Sequence, residues 1–175
     1  MKIVIEGARC TGKSTLANRL NKLTGAAVYH ATSKTDNTLS WHMSQLLSVE
    51  DKILDRFQIG EIVYSHYYGR DPRLLIREMF MMPNLVNDAL FVILYAGEGQ
   101  RDLFEERLLR RAIETGRTLE PDDVNEAVTA NKWFTVIGKM MTLENSNILM
   151  IDTETTHEDD VFEEVKNEII RRNLW

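Results

Sequence analysis

Gly7 to Ser14 reads GARCTGKS and fits the phosphate-binding pattern G-x-x-x-x-G-K-[ST] at every required position. That spacing supports one kind of chemistry. Gly7 and Gly12 permit backbone angles that a side chain would oppose. The intervening Ala8, Arg9, Cys10 and Thr11 can then turn their N–H groups inward as a nest for phosphate oxygens. A helix opening near Lys13 adds its positive end. Lys13 can reach the outer phosphates, and the hydroxyl of Ser14, followed by Thr15, can ligate Mg²⁺.

A second group of residues belongs with such a loop. Lys52 to Phe57 is a short apolar strand ending in Asp55 and Arg56. In a parallel sheet the carboxyl ends of strands line the ligand crevice. Asp55 there holds Mg²⁺ or takes a proton from an attacking hydroxyl, and the sequence leaves both roles open. Arg56 suits a phosphate clamp, because a guanidinium donates two parallel hydrogen bonds. Further along, Arg107, Arg110 and Arg111 fall at i, i+3 and i+4 on a helix from Gln100 to Glu114. Arg117 follows in the break at Thr115 to Thr118. An arginine-bearing segment of this kind, about 100–120, can close over a phosphoryl group and neutralise its charge.

Phe57, Tyr64, His66, Tyr67 and Tyr68 make the densest aromatic cluster in the chain. Rings beside a phosphate clamp suit stacking on a nucleobase, and rings on a helix also suit a core. Glu61 and Ser65 are four apart and share a helix face with Tyr64 or Tyr68. His30 and His42 lack partners at metal-ligand spacing and read as ordinary surface or core histidines. His157-Glu158-Asp159-Asp160 reads as acidic residues opening a helix. Cys10, the single cysteine, reads as a small residue at a variable loop position and leaves no internal disulfide.

The elements that must hold these residues alternate. Lys2 to Glu6 reads as a strand feeding the glycine loop, and Leu16, Leu20 and Leu23 mark one face of the helix after it. Ala26 to His30 is a second strand, Ala31 to Ser40 a polar loop and Ser40 to Leu47 a short helix. After Asp55-Arg56 come a helix over 58–68 and another from Arg73 to Met82, ended by Pro83. Leu90 to Tyr95 is a buried strand, followed by a loop from Ala96 to Gly99 and the arginine helix. Pro121 opens a long helix to about Leu143, with Val124, Val128, Phe134, Ile137 and Met141 inward. Asn147 to Asp152 is the last strand, Thr153 to Thr156 a loop that can approach an adenine, and Val161 to Trp175 the last helix.

At 175 residues, 43% hydrophobic and 27% charged, the chain reads as one soluble domain over 1–175. A net charge of −6 does not favour general nucleic-acid binding, although a local basic cleft is compatible with it. No signal peptide, membrane-length apolar run or internal repeat is evident.

In order and in motif, the chain resembles the thymidylate kinase and deoxynucleoside kinase group of P-loop kinases. The matching residues are Ile3 to Gly7, Gly12-Lys13-Ser14-Thr15, Asp55-Arg56-Phe57, the arginines from Arg107 to Arg117, and Ile148 to Asp152. Its compactness resembles small phage-encoded members, which implies a cytoplasmic location, in the host if phage-encoded. The resemblance implies an α/β P-loop NTPase three-layer sandwich: a five-stranded parallel sheet, helices on both faces and an arginine-bearing lid. It implies transfer of the γ-phosphate of ATP, with Mg²⁺, to a deoxynucleoside monophosphate, a pyrimidine being expected. Lys13 and the lid arginines would stabilise the moving group, Ser14 and Asp55 hold the metal, and Arg56 bind the acceptor's phosphate. Glu6, Phe57, Glu61, Tyr64 and Tyr68 would meet the acceptor. Many thymidylate kinases carry an acid inside the loop, where this chain has Ala8-Arg9-Cys10-Thr11. Arg9 could supply a charge instead. The nucleoside kinases' glutamate after the second strand is not evident in Tyr29 to Lys34, so Glu6 or Asp55 would serve. Three alternatives stay open: a deoxynucleoside acceptor, a hydroxymethylated base in a nucleotide or in DNA, and a nucleotide-dependent switch without an acceptor. The assembly is open between monomer and homodimer.

Overall fold

The computed structural model describes residues 1–32, 34–86, 88–97 and 101–175. Glu98, Gly99 and Gln100, expected in a loop and at the start of the arginine helix, lie outside the described residues, as does Ser33 of the expected polar loop. Five strands alternate with seven helices among the described residues: β1 (Lys2–Gly7), α1 (Lys13–Thr24), β2 (Ala27–His30), α2 (Leu39–Leu46), β3 (Lys52–Asp55), α3 (Gln58–Tyr67), α4 (Ile76–Leu85), β4 (Ala89–Tyr95), α5 (Arg101–Thr115), α6 (Pro121–Glu144), β5 (Ile148–Asp152) and α7 (Glu158–Arg171).

All strand pairs are parallel, in the order β2-β3-β1-β4-β5. Apolar side chains on successive residues of β1, β3 and β4 face opposite sides of the sheet, so both sides need cover. Val4, Leu54, Phe91 and Ile93 pack in one core with residues of α3, α4, α5 and α6. Ile3, Ile5, Ile53, Val92 and Leu94 pack in the other with α1 and α7, through Leu16, Leu20, Val161, Val165 and Ile169. The three-layer arrangement follows from that alternation. β2 is the exception: it is a four-residue edge strand with every residue exposed.

The connection from β3 to β4 passes from one side of β1 to the other. A crevice at the carboxyl ends of the strands is the expected consequence. Gly7, Asp55, Tyr95, Asp152 and His30 all close their strands at that edge.

Several local boundaries differ from the sequence pattern. Pro83 lies inside α4 rather than ending it. Its carbonyl accepts from Asn147 Nδ2 at 2.9 Å, and the helix runs only two residues further. That helix starts at Ile76, not Arg73, because Glu78 caps it by accepting from the Leu75 N–H at 2.9 Å. α7 opens at Glu158, within the acidic run expected to open it, with His157 as its cap accepting from the Asp159 N–H, and it ends at Arg171 rather than at Trp175. α2 opens where Thr38 accepts from the Trp41 N–H at 3.3 Å. No helix among the described residues is long and apolar enough to cross a membrane.

Candidate active site

The phosphate-loop sequence sits between β1 and α1. Gly7 has φ +146°, and a Cβ there would collide with the carbonyl oxygen of Leu94 on β4. The position therefore needs glycine for conformation and for the close approach of the neighbouring strand. Gly12 caps α1 at φ +87°. Cys10 is also left-handed, at φ +59°.

Around this loop lies a cleft of about 770 Å³. Arg9 to Leu16 form its floor, Arg107, Arg110 and Arg111 of α5 one wall, and Thr153 to Glu158 another. Lys13 is 5% exposed, and its ammonium donates to the Ala8 carbonyl. Burial and the neighbouring Arg56 cation hold Lys13 down at about 8, against the pull of Asp55 and Glu6. Ser14 donates to Asp55 Oδ2 at 2.9 Å, and His30 Nδ1 meets the same oxygen at 2.9 Å. Asp55 Oδ1 is buried with no partner among the described residues.

Asp55 ends β3, and the next residue, Arg56, turns out of the strand at φ +70°. A left-handed arginine is strained, and such strain gathers at functional sites. The turn sends Arg56 to a place where it lines both the large cleft and a second cavity of about 280 Å³. Its Nε is buried and has no partner among the described residues. The second cavity is walled by Phe57, Gly60, Glu61 and Tyr64 around α3, by Ala31, Thr32 and Asn37, and by Tyr68, Arg70 and Glu126. Glu61 Oε1 accepts from Ser65 at 3.2 Å and from the Arg73 N–H at 3.1 Å. Tyr68 donates to Glu126 Oε2, and the buried Tyr64 hydroxyl has no partner among the described residues.

The residues singled out in the sequence thus fall into several places. Lys13, Ser14, Arg56, Arg107, Arg110 and Arg111 surround the large cleft. Arg107 also spans it, donating to the Cys10 carbonyl at 3.3 Å and to Thr153 Oγ1 at 3.1 Å. Burial and the adjacent Arg110 push its pKa down. Arg117 is exposed and lines neither cavity. Phe57, Glu61, Tyr64 and Tyr68 meet at the second cavity. His66 instead packs against Trp133, and Tyr67 donates to Asp122 at 3.0 Å. Arg9 pairs with Asp123 and lies 3.7 Å from Glu126, so its charge is engaged by α6. Glu6 lines neither cavity; its Oε1 accepts from the Ile59 N–H at 2.8 Å and the Gly60 N–H at 3.2 Å, at the start of α3. Burial pushes Glu6 up to about 7, although those N–H groups and Lys13 favour its charge.

His30, Asn37, Asp123 and Glu126 belong to the site without having been marked as site residues. His30 had a usable signal, as the last residue of an apolar run that ends at the sheet's carboxyl edge. Glu126 had none, because nothing in the spacing of α6 separates it from the other polar residues of that helix.

No protein-family model matches the chain, and no curated protein sequence matches it. Solved structures do. The fold is similar to that of YorR from Bacillus subtilis in complex with phosphorylated GDP, with a TM-score of 0.73, 19% identity and coverage of 98% of each chain. It is similar to deoxyadenosine kinase from M. mycoides with bound dATP, with a TM-score of 0.60, 16% identity and coverage of 97% of this chain and 99% of that one. It is also similar to thymidylate kinase from Candida albicans, with a TM-score of 0.55, 15% identity and coverage of 99% and 92%. At these identities the likeness is one of fold.

Proposed function

We propose that this protein is an ATP- and Mg²⁺-dependent kinase that phosphorylates a deoxynucleoside monophosphate. The observation that carries the reading is the position of Arg56, which borders both the phosphate-loop cleft and the second cavity. Phosphoryl transfer needs a donor and an acceptor on either side of positioned positive charge. The large cleft suits the donor and the aromatic-walled cavity the acceptor.

The residues present fit both cofactors. The backbone N–H groups of the loop and the positive end of α1 favour an anion. Ser14 and Asp55 already lie within hydrogen-bond distance, and the unpartnered Asp55 Oδ1 is a hard oxygen ligand. These two side chains would hold Mg²⁺, which when bound neutralises phosphate oxygens. Lys13 would exchange the Ala8 carbonyl for phosphate, a better partner for a buried ammonium. Arg107 and Arg110 would add charge from α5, and Thr153 to His157 would border the adenine end. Arg56 and Arg70 supply positive charge to the acceptor's phosphate.

A second reading has its own observation. Glu61 and Glu126 also line the acceptor cavity, and paired carboxylates suit a hydroxyl-rich neutral acceptor such as a deoxynucleoside. The test is ADP formation with ATP and Mg²⁺ against a panel of deoxynucleoside monophosphates, deoxynucleosides and DNA carrying hydroxymethylated bases, with product identification. A diphosphate product supports the proposal. A response confined to deoxynucleosides or DNA replaces it with the corresponding alternative. ATP binding without any phosphorylated product would make the protein a nucleotide-dependent switch.

A further inference from the structure

Asn37 lies on the connection between β2 and α2 and is 5% exposed. Its Nδ2 donates to the Thr32 carbonyl at 3.2 Å. That bond sets the orientation of the amide, because the opposite orientation would set oxygen against oxygen. Oδ1 is then the end left over, and it is buried without a partner among the described residues. Asn37 lines the second cavity, as do two other residues with unpartnered buried polar atoms, Arg56 with Nε and Tyr64 with its hydroxyl. The carboxylates on the same wall are not in that condition. Glu61 Oε1 holds Ser65 and the Arg73 N–H, and Glu126 Oε2 holds Tyr68.

Buried polar atoms are almost always paired, so three unpaired ones around one cavity describe the ligand that completes them. The set contains one obligate acceptor, one obligate donor and one hydroxyl that does either. We infer that Asn37 is a specificity-determining residue of the acceptor cavity, its carbonyl oxygen taking a hydrogen bond from an N–H on the edge of a nucleobase. The inference rests on reading that cavity as the acceptor site. A nucleobase is favoured over a simple polyol because three of the lining residues, Phe57, Tyr64 and Tyr68, are aromatic, and aromatic residues suit a planar heterocycle. A free asparagine amide reads a base edge with donor and acceptor together. Here one of the two Nδ2 hydrogens goes to Thr32 and Oδ1 is the atom left without a partner among the described residues, so Asn37 favours a base edge that offers a donor. A site built to pair a buried polar group discriminates strongly against a ligand that leaves it unpaired.

The experiment compares wild type with Asn37→Leu, after circular dichroism shows both to be folded. Steady-state turnover is measured against the nucleotide panel, and direct binding of the same nucleotides by calorimetry. Asn37→Leu removes the acceptor oxygen at similar size. The acceptor KM and Kd should rise about 10-fold to 100-fold, with kcat and the KM for ATP changing less than about 3-fold. An acceptor whose base N–H is replaced by N-methyl should lose affinity in wild type and lose nothing further in Asn37→Leu. If the N-methyl acceptor loses as much affinity in Asn37→Leu as in wild type, the effect is placement of the connection and the inference is overturned. An acceptor KM within about 2-fold of wild type in Asn37→Leu also overturns it, while leaving the kinase reading intact. Nucleotide binding that depends on Asn37, without phosphorylated product, would sustain the inference and sink the kinase reading instead.

Discussion

Ser14 and Asp55 are joined by a hydrogen bond of 2.9 Å between hydroxyl and carboxylate. One opens α1, the other closes β3, and the register of β1 against β3 sets Ile5 opposite Asp55. Asp55 is thereby held beside the phosphate loop by the sheet itself. His30 on β2 meets the same carboxylate oxygen, and Oδ1 has no partner among the described residues, which leaves it as the ligand.

That arrangement separates two roles for Asp55. As a metal holder, its replacement by Asn should raise the Mg²⁺ concentration for half-maximal turnover about 10-fold to 100-fold. Ser14→Ala should do the same, and high Mg²⁺ should restore much of the rate in both. As the base for an attacking hydroxyl, Asp55→Asn would lose turnover that no Mg²⁺ concentration restores. A Mg²⁺ titration of the variants decides between them.

Arg56 carries opposite demands of stability and function. Its φ of +70° suits glycine, and a non-glycine residue there costs about 1 kcal/mol. Arg56→Gly should therefore be more stable in urea than Arg56→Ala by about that amount. Neither should turn over, since both lack the guanidinium. Equal stability of the two variants would show that the backbone relaxes once the side chain is cut.

Glu6 should make stability depend on pH in a definite direction. Its folded pKa of about 7 lies above the ordinary value of 4.5, so the native state keeps a proton that the unfolded chain releases. The contribution is fully present below about 4.5 and is lost as pH rises through about 7. Glu6→Gln keeps an oxygen for the Ile59 and Gly60 N–H groups but does not titrate. Relative to that variant, wild type should lose on the order of 3 kcal/mol between pH 4 and pH 8. Urea unfolding of both proteins across that range measures it, and parallel curves would mean the carboxyl is not shifted.

The arginines of the proposed lid should not be equivalent. Arg107 reaches the phosphate loop and Thr153 across the cleft, whereas Arg117 is exposed beyond the end of α5. Arg107→Ala should reduce kcat by on the order of 100-fold, as loss of one positioned charge does. Arg117→Ala should stay within about 2-fold. A comparable loss in both would mean that closure brings Arg117 into the cleft.

How far the sequence alone reaches depends on the distance over which a feature is encoded. The phosphate loop was legible because its parts are consecutive: successive N–H groups form the nest, and two glycines supply the angles. The alternation of strands and helices was legible because side-chain direction repeats every two or 3.6 residues. Asp55-Arg56 was legible as the end of an apolar strand. Pro83 was misread because a proline removes only its own N–H from the helix ladder and leaves Asn84 and Leu85 able to complete α4, which stops two residues further on.

Only the tertiary structure decided which of those local features meet. The strand order places β3 beside β1, so His30, Asp55 and Ser14 converge although neither loop nor strand encodes the contact. Packing of α6 against α3 puts Glu126 on Tyr68 and engages Arg9, which the loop's sequence presented as a free charge. Asn37 stands in a polar stretch like any other until folding buries its oxygen without a partner among the described residues. Short-range patterns act through the backbone's own geometry. Convergence at the sheet's edge is a property of topology, set by the long-range burial of two apolar cores that the local pattern only makes possible.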